Sequence, residues 1–482
     1  MTAPAIVWFR QDLRLADNPA LHAVRDRPVL PVFVLDEAAM GELAYRGAAR
    51  WWLHHSLAAL SASLAASGAP LLILRGDAVP LLAELARDVG AAEVQAGWLV
   101  EPWARAQEAA LSARLAAEGR ALVLHASTHL MRPDGIAAAS GRPYTVYAPF
   151  AKKALERGDP PPPLEAPGRL HGLAAPSPGL ALSALDLLPR APVPDWAAGF
   201  GTVWTPGEAG ALARLGRFAR RARLRAYPES RNDPGIEGSS GLSPHLRWGE
   251  VSPRQVWHSA RSAGAEDATP FLREILWREF SHHLLWHRPE MGREALRPAF
   301  RDFPYAPDRA LLRAWQRGRT GFPIVDAGMR QLWRIGWMHN RVRMIAASLL
   351  VKHLLQPWQD GAAWFNDTLV DADPANNAAS WQWIAGSGTD ASPYFRVFNP
   401  TLQGEKFDPD GVYVRRWVPE LARMPARYIH RPWEAPEAAR RAAGPGAADY
   451  PRPVVEHAAA RERALAALRA AARRAPAEAV PP

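Results

Sequence analysis

The chain has 482 residues, 48% of them apolar, which suits two to four domains with substantial cores. It contains no cysteine, so disulfides and thiolate metal sites are excluded, and a reducing cytoplasm is the expected compartment. A formal net charge of +10 favours a polyanionic partner such as nucleic acid, although Arg, Ala and Pro are abundant throughout, as base-composition bias alone would make them. The opening "MTAPAIVWFRQDLR" puts charges where a signal peptide needs an apolar run. No apolar stretch reaches membrane length, so no membrane association is expected. Twenty tryptophans are about three times average usage, and most are expected in cores.

In chain order, "AIVWF", "VLPVFVLD", "PLLILRG", "AEVQAGW" and "ALVLH" read as strands that are apolar without alternation, the pattern of a sheet buried on both faces. Helical segments separate them, such as "RGAARWWLHHSLAALSASLAASG" and "WARAQEAALSARLAAEG", each closing on Gly. This predicts a doubly wound α/β domain with a parallel sheet over residues 1–130. It lacks the G-x-G-x-x-G and P-loop fingerprints, so the fold alone assigns it no nucleotide. Over 131–205, Pro-rich runs such as "GDPPPPLEAPG" and "LLPRAPVPDW" cannot sustain helices and read as a long surface connector. Over 206–475 helical periodicity dominates and clear strands vanish, predicting an all-helical domain; 476–482 reads as a frayed tail.

Several stretches of the helical part carry more polar chemistry than folding requires. In "GSSGLSPHLRWGEVSPRQVWH", Ser239, Ser240, Gly241, Leu242 and Ser243 precede a helix. Unpaired N–H groups and hydroxyls there could hold a pyrophosphate, or simply cap the helix. In "FLREILWREFSHHLLWH", Glu274, Trp277, Arg278 and His282 share roughly one side, which suits a polar-edged ring or an intrahelical ion pair. His283 and His287 have metal-ligand spacing, but no further ligands cluster with them, so packed histidines and no metal are expected. "GWMHNRVRMIAASLLVKHLL" places Asn340, Arg341, Arg343 and Met344 on two turns, and a buried Arg343 would need a counter-charge such as Asp371. "DADPANNAASWQW" combines Asp371, Asp373 and Asn377 with Trp381 and Trp383; the Gly and distal Glu of a calcium loop are missing.

Read together with "IVWFRQDLRLADNPAL", "GLSPHLRWGEVSPRQVW", "LWREF" and "TGFPIVDAGMRQLWRIGWMHNRVRM", these stretches resemble the photolyase/cryptochrome flavoproteins over essentially the whole chain. The nearest resemblance is to class I cyclobutane pyrimidine dimer photolyases. It implies an FAD, active as FADH⁻, in the helical domain. Tyr227, Ser239, Ser240, Gly241, Leu242, Ser243 and Arg278 would hold its phosphates and ribityl side. Asp371, Asp373 and Asn377 would line its ring edge, with Arg343 paired to Asp371. It also implies an aromatic electron relay through Trp381 and Trp358 to Tyr305, which stands where the family has Trp; Trp315 or Trp333 offers another exit. Ser239 replaces the usual Thr and Phe271 the usual Trp.

The same resemblance implies light-dependent repair of dimers in damaged DNA by electron transfer from excited FADH⁻. Glu274, Asn340 and Asn377 would be catalytic. Trp277, Met344 and Trp383 would pack the lesion beside Glu274 and Asn340, while Arg231, Arg341 and Gln403 would hold phosphates. Asn377 matches the repair enzymes, and the paired histidines of (6-4) photolyases are not found at Asn340 and Met344. The alternatives are a cryptochrome-type blue-light receptor, whose long polar C-terminal extension is not seen, and a (6-4) photolyase. A dark flavin oxidoreductase lacks a nicotinamide fingerprint. A second, antenna chromophore in the α/β domain is implied, with folate, deazaflavin and flavin all open; Glu101 is followed by Pro102 where folate binders carry an acid. A monomer is expected.

Overall fold

The computed structural model describes residues 3–189, 195–390 and 395–474. The apolar runs near the N-terminus form strands β1 (Ala5–Phe9), β2 (Pro28–Leu35), β3 (Leu72–Arg75), β4 (Glu93–Gly97) and β5 (Ala121–His125). All pair in parallel in the order β3-β2-β1-β4-β5. Ile6 faces Leu30 on one side and Val94 on the other, so the centre of the sheet is aliphatic. The strand order reverses between β1 and β4, the switch point of a doubly wound fold. Helices α1 (Gly47–Ala66), α2 (Ala78–Asp88) and α3 (Pro102–Ala117) follow β2, β3 and β4. Leu82, Ala83 and Ala86 of α2 and Leu111 and Leu115 of α3 fill one core with Ile6, Trp8, Leu30 and Val94.

The 131–205 segment is not a bare connector. It contains α4 (Tyr147–Glu156), which buries Phe150, Ala151 and Ala154, and a two-residue strand β6 (His171–Gly172) that extends the sheet beside β2. Proline runs flank this helix, and its one internal proline, Pro149, sits in the first turn, where the missing N–H has no intrahelical partner to lose.

The chain divides into two compact units. The first holds the sheet, α1–α4, residues 240–289 and residues 370–375. Within it lie α5 (Pro253–Ala263) and α6 (Ala265–His287). Arg14, with no exposed surface, donates to the carbonyls of Gly249 (2.9 Å), Asp17 (2.5 Å) and Ser127 (2.7 Å). Gly249 sits at φ +61°, and a Cβ there would meet the Gln11 carbonyl oxygen at 2.0 Å, so only glycine fits.

The second unit is helical: residues 226–239, 290–369 and 376–482. Its elements include α7 (Arg309–Gln316), α8 (Pro323–Ile335), α9 (Asn340–Ser348) and α10 (Trp358–Thr368). They continue with α11 (Pro374–Ala385), α12 (Pro400–Phe407), α13 (Val412–Trp417) and α14 (His457–Arg474). A π-helical turn, Leu349–His353, ends α9 and packs on α14. Ala460, Ala464, Ala467 and Ala471 form the buried stripe of α14. Asp326, fully buried, ties this unit by accepting from Thr320 N and Oγ1, Gly321 N and the Tyr450 hydroxyl. No helix among the described residues is long and apolar enough to cross a membrane.

Candidate active site

In the first unit the acids Asp371 and Asp373 precede and open α11, and both are buried. Ser243 Oγ donates to Asp371 Oδ2 at 2.6 Å. Asp373 meets His282 Nε2 at 3.1 Å, and His282 Nδ1 meets His129 Nε2 at 2.5 Å. His129 Nδ1 in turn meets Thr128 Oγ1 at 3.0 Å. Burial by itself would raise Asp373, but His282, then Arg247 and Arg278, outweigh it and hold the carboxyl well below the usual range. Asp373 is therefore an anion in a dry, cationic surround, able to accept from an N–H. Arg247 Nε donates to Ala372 O at 2.7 Å, which fixes the backbone between the two acids.

Glu274, Trp277 and Arg278 lie half-buried on α6. Arg278 Nη1 donates to Thr128 O at 2.8 Å and to Glu279 at 3.2 Å. Burial pushes Glu279 up to about 7, and Arg278 only partly offsets it. Trp277 has one face covered: Tyr147 of α4 stacks on it at 3.6 Å and 9°, its hydroxyl donating to Arg273 O at 2.7 Å. His283 and His287 both reach Pro133 O, at 3.0 and 3.3 Å, as packed histidines do. The Ser240–Ser243 run leads into only five helical residues, Ser243–Arg247, because Gly249 at φ +61° and Pro253 end the turn. Its dipole is correspondingly small, so hydroxyls rather than a helix end are the donors there.

In the second unit, α9 presents Asn340, Arg341, Arg343 and Met344. His339, nearly buried, caps it: the imidazole Nδ1 accepts from Arg341 N at 3.2 Å. Burial, then Arg341, Arg343 and Arg231, push His339 down to about 4, which keeps the ring neutral and able to accept. Asn340 is exposed. Arg341 donates to Asn232 Oδ1 at 2.6 Å and lies 4.5 Å from the Phe407 ring centre. Arg343 Nε donates to Met338 O at 2.7 Å. The Arg231 guanidinium lies 5.2 Å from the ring of the buried Tyr227. Ser239, Trp383 and Gln403 are half-buried on their own segments.

Asn377 Nδ2 donates to Ala362 O at 2.9 Å, which fixes its amide. One turn on, Trp381 is 2% exposed and its indole N–H has no hydrogen-bond partner among the described residues. Its ring lies so close to α10 that a Cβ at Gly361 would meet it at 2.1 Å. Trp358 sits on the same helix, buried; Tyr305 packs under α14 with Phe303 and Leu355. Burial, offset only by the Trp358 backbone, holds the Tyr305 phenol well above its ordinary value. Trp315 is 6.2 Å from Trp381, and Trp333, 53% exposed, stacks on Trp364 at 6.0 Å and 6°.

The structure thus brings Ser243 to Asp371, Asp373 to His282, Asn377 to α10 and Trp381 to α10. Sequence reasoning missed His129, Tyr147 and the capping role of His339. No local signal marks His129 or Tyr147, and histidine is not one of the residues whose presence before a helix signals a cap. Among the described residues no three His, Cys, Asp or Glu side chains group as a metal site.

Comparison with known proteins decides the family. The description "DNA photolyase" matches residues 5–168, and "FAD binding domain of DNA photolyase" matches residues 271–470. A deoxyribodipyrimidine photo-lyase of Agrobacterium fabrum (strain C58) is 50% identical over 477 residues, 97% of this chain and 98% of that one. The chain belongs to the DNA photolyase/cryptochrome family. Cryptochrome-2 of Arabidopsis thaliana is 36% identical over 479 residues, covering 96% of this chain and 78% of the plant protein. Among solved structures, a bacterial class III photolyase from Agrobacterium tumefaciens superposes with a TM-score of 0.92 at 49% identity, covering 98% of both chains. The residues present fit FAD. In the first unit, two buried acids and a hydroxyl- and glycine-bearing loop, with Ser243 bonded to Asp371, supply donors and acceptors suited to a polar-rimmed ring with a diphosphate.

Proposed function

We propose that this protein is an enzyme that repairs cyclobutane pyrimidine dimers in DNA under blue light. Its class would be III, on its likeness to the Agrobacterium protein, in place of the class I its motifs suggest. FAD, when bound, supplies the photoexcited electron; the chain places it and the lesion. Tyr227, Ser239, Ser240, Gly241, Leu242, Ser243 and Arg278 hold the phosphate and ribityl side. Asp371, Asp373 and Asn377 bind the ring edge, with Arg343 balancing Asp371. Asp373 is kept ionised by His282, and Asn377 keeps a neutral amide where an acid would deliver a proton.

The observation that carries the choice of lesion is the start of α9. Asn340 is exposed, Met344 lies one turn on, and the neighbouring His339 is neutral and already used as the helix cap. A (6-4) photolyase needs an imidazolium that can protonate the lesion, whereas this imidazole is neutral, with its Nδ1 taken up by the cap. Asn340 and Glu274 instead hydrogen-bond the dimer's carbonyl and imide edges, and Trp277, Met344 and Trp383 pack its apolar face. A dimer must leave the duplex to reach them, at a cost of a few kcal/mol that damage lowers; photolyases are among the general examples of such base flipping. Arg231, Arg341 and Gln403 would then clamp phosphates. Tyr305, Trp358 and Trp381 would pass electrons inward to the flavin site, with Trp315 or Trp333 as another point of entry. The α/β domain would carry an antenna chromophore. A cryptochrome-type receptor is the second reading, favoured by the 36% identity to the plant protein.

A thymine-dimer oligonucleotide under blue light tests the choice. Repair is expected, and Asn340→Ala or Glu274→Ala should slow it roughly tenfold, about one hydrogen bond, with FAD retained. Bound flavin with no loss of dimer would leave only the receptor.

A further inference from the structure

Within the second unit lies a cavity of about 890 Å³ whose walls are aromatic and cationic together. Trp333, Trp364 and Trp417 line it, and the Trp417 indole nitrogen is buried without a hydrogen-bond partner among the described residues. Arg313, Arg317, Arg334 and Arg416 surround them, and among the described residues none of these four has an ion pair. Arg330 alone is neutralised, by Glu420 at 2.7 Å. An ordinary solvated face would intersperse acids among so many guanidinium groups. Unpaired arginines gathered around tryptophans, Trp333 among them exposed, are instead the surroundings of a flat or delocalised anion.

The cavity also touches the aromatic interior. Trp364 shares α10 with Gly361, against whose backbone Trp381 packs, and its neighbour Phe365 lies 5.1 Å from the Trp381 ring. Trp315, 6.2 Å from Trp381, shares α7 with the cavity's Arg313 and Gln316. At the outer end Trp333, stacked on Trp364, is 53% exposed. Tyr305, by contrast, is packed beneath α14, and its phenol holds its proton tightly.

We propose that this cavity is the docking site of an anionic one-electron reductant that restores Trp333 after the interior has drawn an electron from it; this rests on the flavin reading above. With monoanionic ascorbate as the probe, the oxidised Trp333 radical cation gains one electron. Ascorbate becomes its radical anion and releases one proton to water, and no atom is transferred. The arginines raise the local concentration of the anion, an effect worth tenfold or more that salt removes.

Two measurements on the purified protein test this. In the dark, iodide should quench the fluorescence component that Trp333→Phe abolishes. The Arg313→Gln/Arg317→Gln/Arg334→Gln variant, altered only at exposed positions, should cut that iodide quenching roughly threefold or more while neutral acrylamide quenches as before. Under continuous blue light, flavin reduction supported by ascorbate should fall roughly tenfold in the triple variant at low salt, and in wild type at high salt. Reduction supported by neutral dithiothreitol should not change. Equal iodide quenching in wild type and variant, or ascorbate-driven reduction indifferent to the arginines and to Trp333→Phe, overturns the proposal. A protein that shows the iodide effect but carries no flavin refutes the flavin reading instead.

Discussion

At single positions the packing makes two sharp statements. Gly361 is the point where α10 and the Trp381 ring touch, with Leu350 Cδ2 only 2.6 Å from an added Cβ. Gly361→Ala should therefore cost about 1–3 kcal/mol by overpacking, read as a lower denaturation midpoint, and should displace Trp381. Glu279 is 3% exposed and its folded pKa is raised to about 7 from an ordinary 4.5. The folded state then holds a proton that the unfolded chain releases. The stability from this group is complete below about pH 4.5 and is lost as pH rises through about 7, by up to about 3 kcal/mol. Glu279→Gln should flatten that slope in denaturant titrations across the range; an unchanged slope would place the ionisation elsewhere. Neither residue announces itself in the sequence. Asn340, Asn377 and Trp381 could be singled out because polar groups beside large rings are unusual. The Asp373–His282–His129 chain could not, since its links span 91 and 153 residues.

Among elements, the strands were the most legible. "AIVWF" coincides with β1, because an uninterrupted apolar run between turn residues has few ways to be buried other than inside a parallel sheet. The α4 helix was hidden for the opposite reason. Prolines dominate the local signal on both sides, and ten residues give the Phe150, Ala151 and Ala154 repeat little room to show. That helix matters to the candidate site, since it carries Tyr147 onto Trp277 and buries Phe150 5.2 Å from Phe280. Phe150→Ala is expected to cost about 3–5 kcal/mol by guanidinium denaturation, the range for emptying a core aromatic position. It should also weaken dimer binding by loosening Trp277. If the midpoint stays put, α4 is only laid on the surface.

For the molecule as a whole, a net charge of +10 favours a polyanionic partner, and the number of phosphates its cations neutralise sets how strongly DNA association depends on salt. Plotted logarithmically, affinity for a dimer-bearing oligonucleotide should fall linearly with salt, and Arg341→Ala should reduce the slope by about one. A slope that Arg341→Ala leaves untouched would assign this side chain, already bonded to Asn232, to packing instead. The buried guanidinium of Arg14 has a different reach. Two of its carbonyl partners stand at positions 17 and 127 and the third at 249, so the set is complete only after half the chain has been made. Until the segment up to Gly249 has been added, the Nη1 end of this buried cation lacks its carbonyl. A nascent chain stalled near its connector is therefore expected to leave one end of a buried guanidinium unpaired and to open more readily than the finished protein.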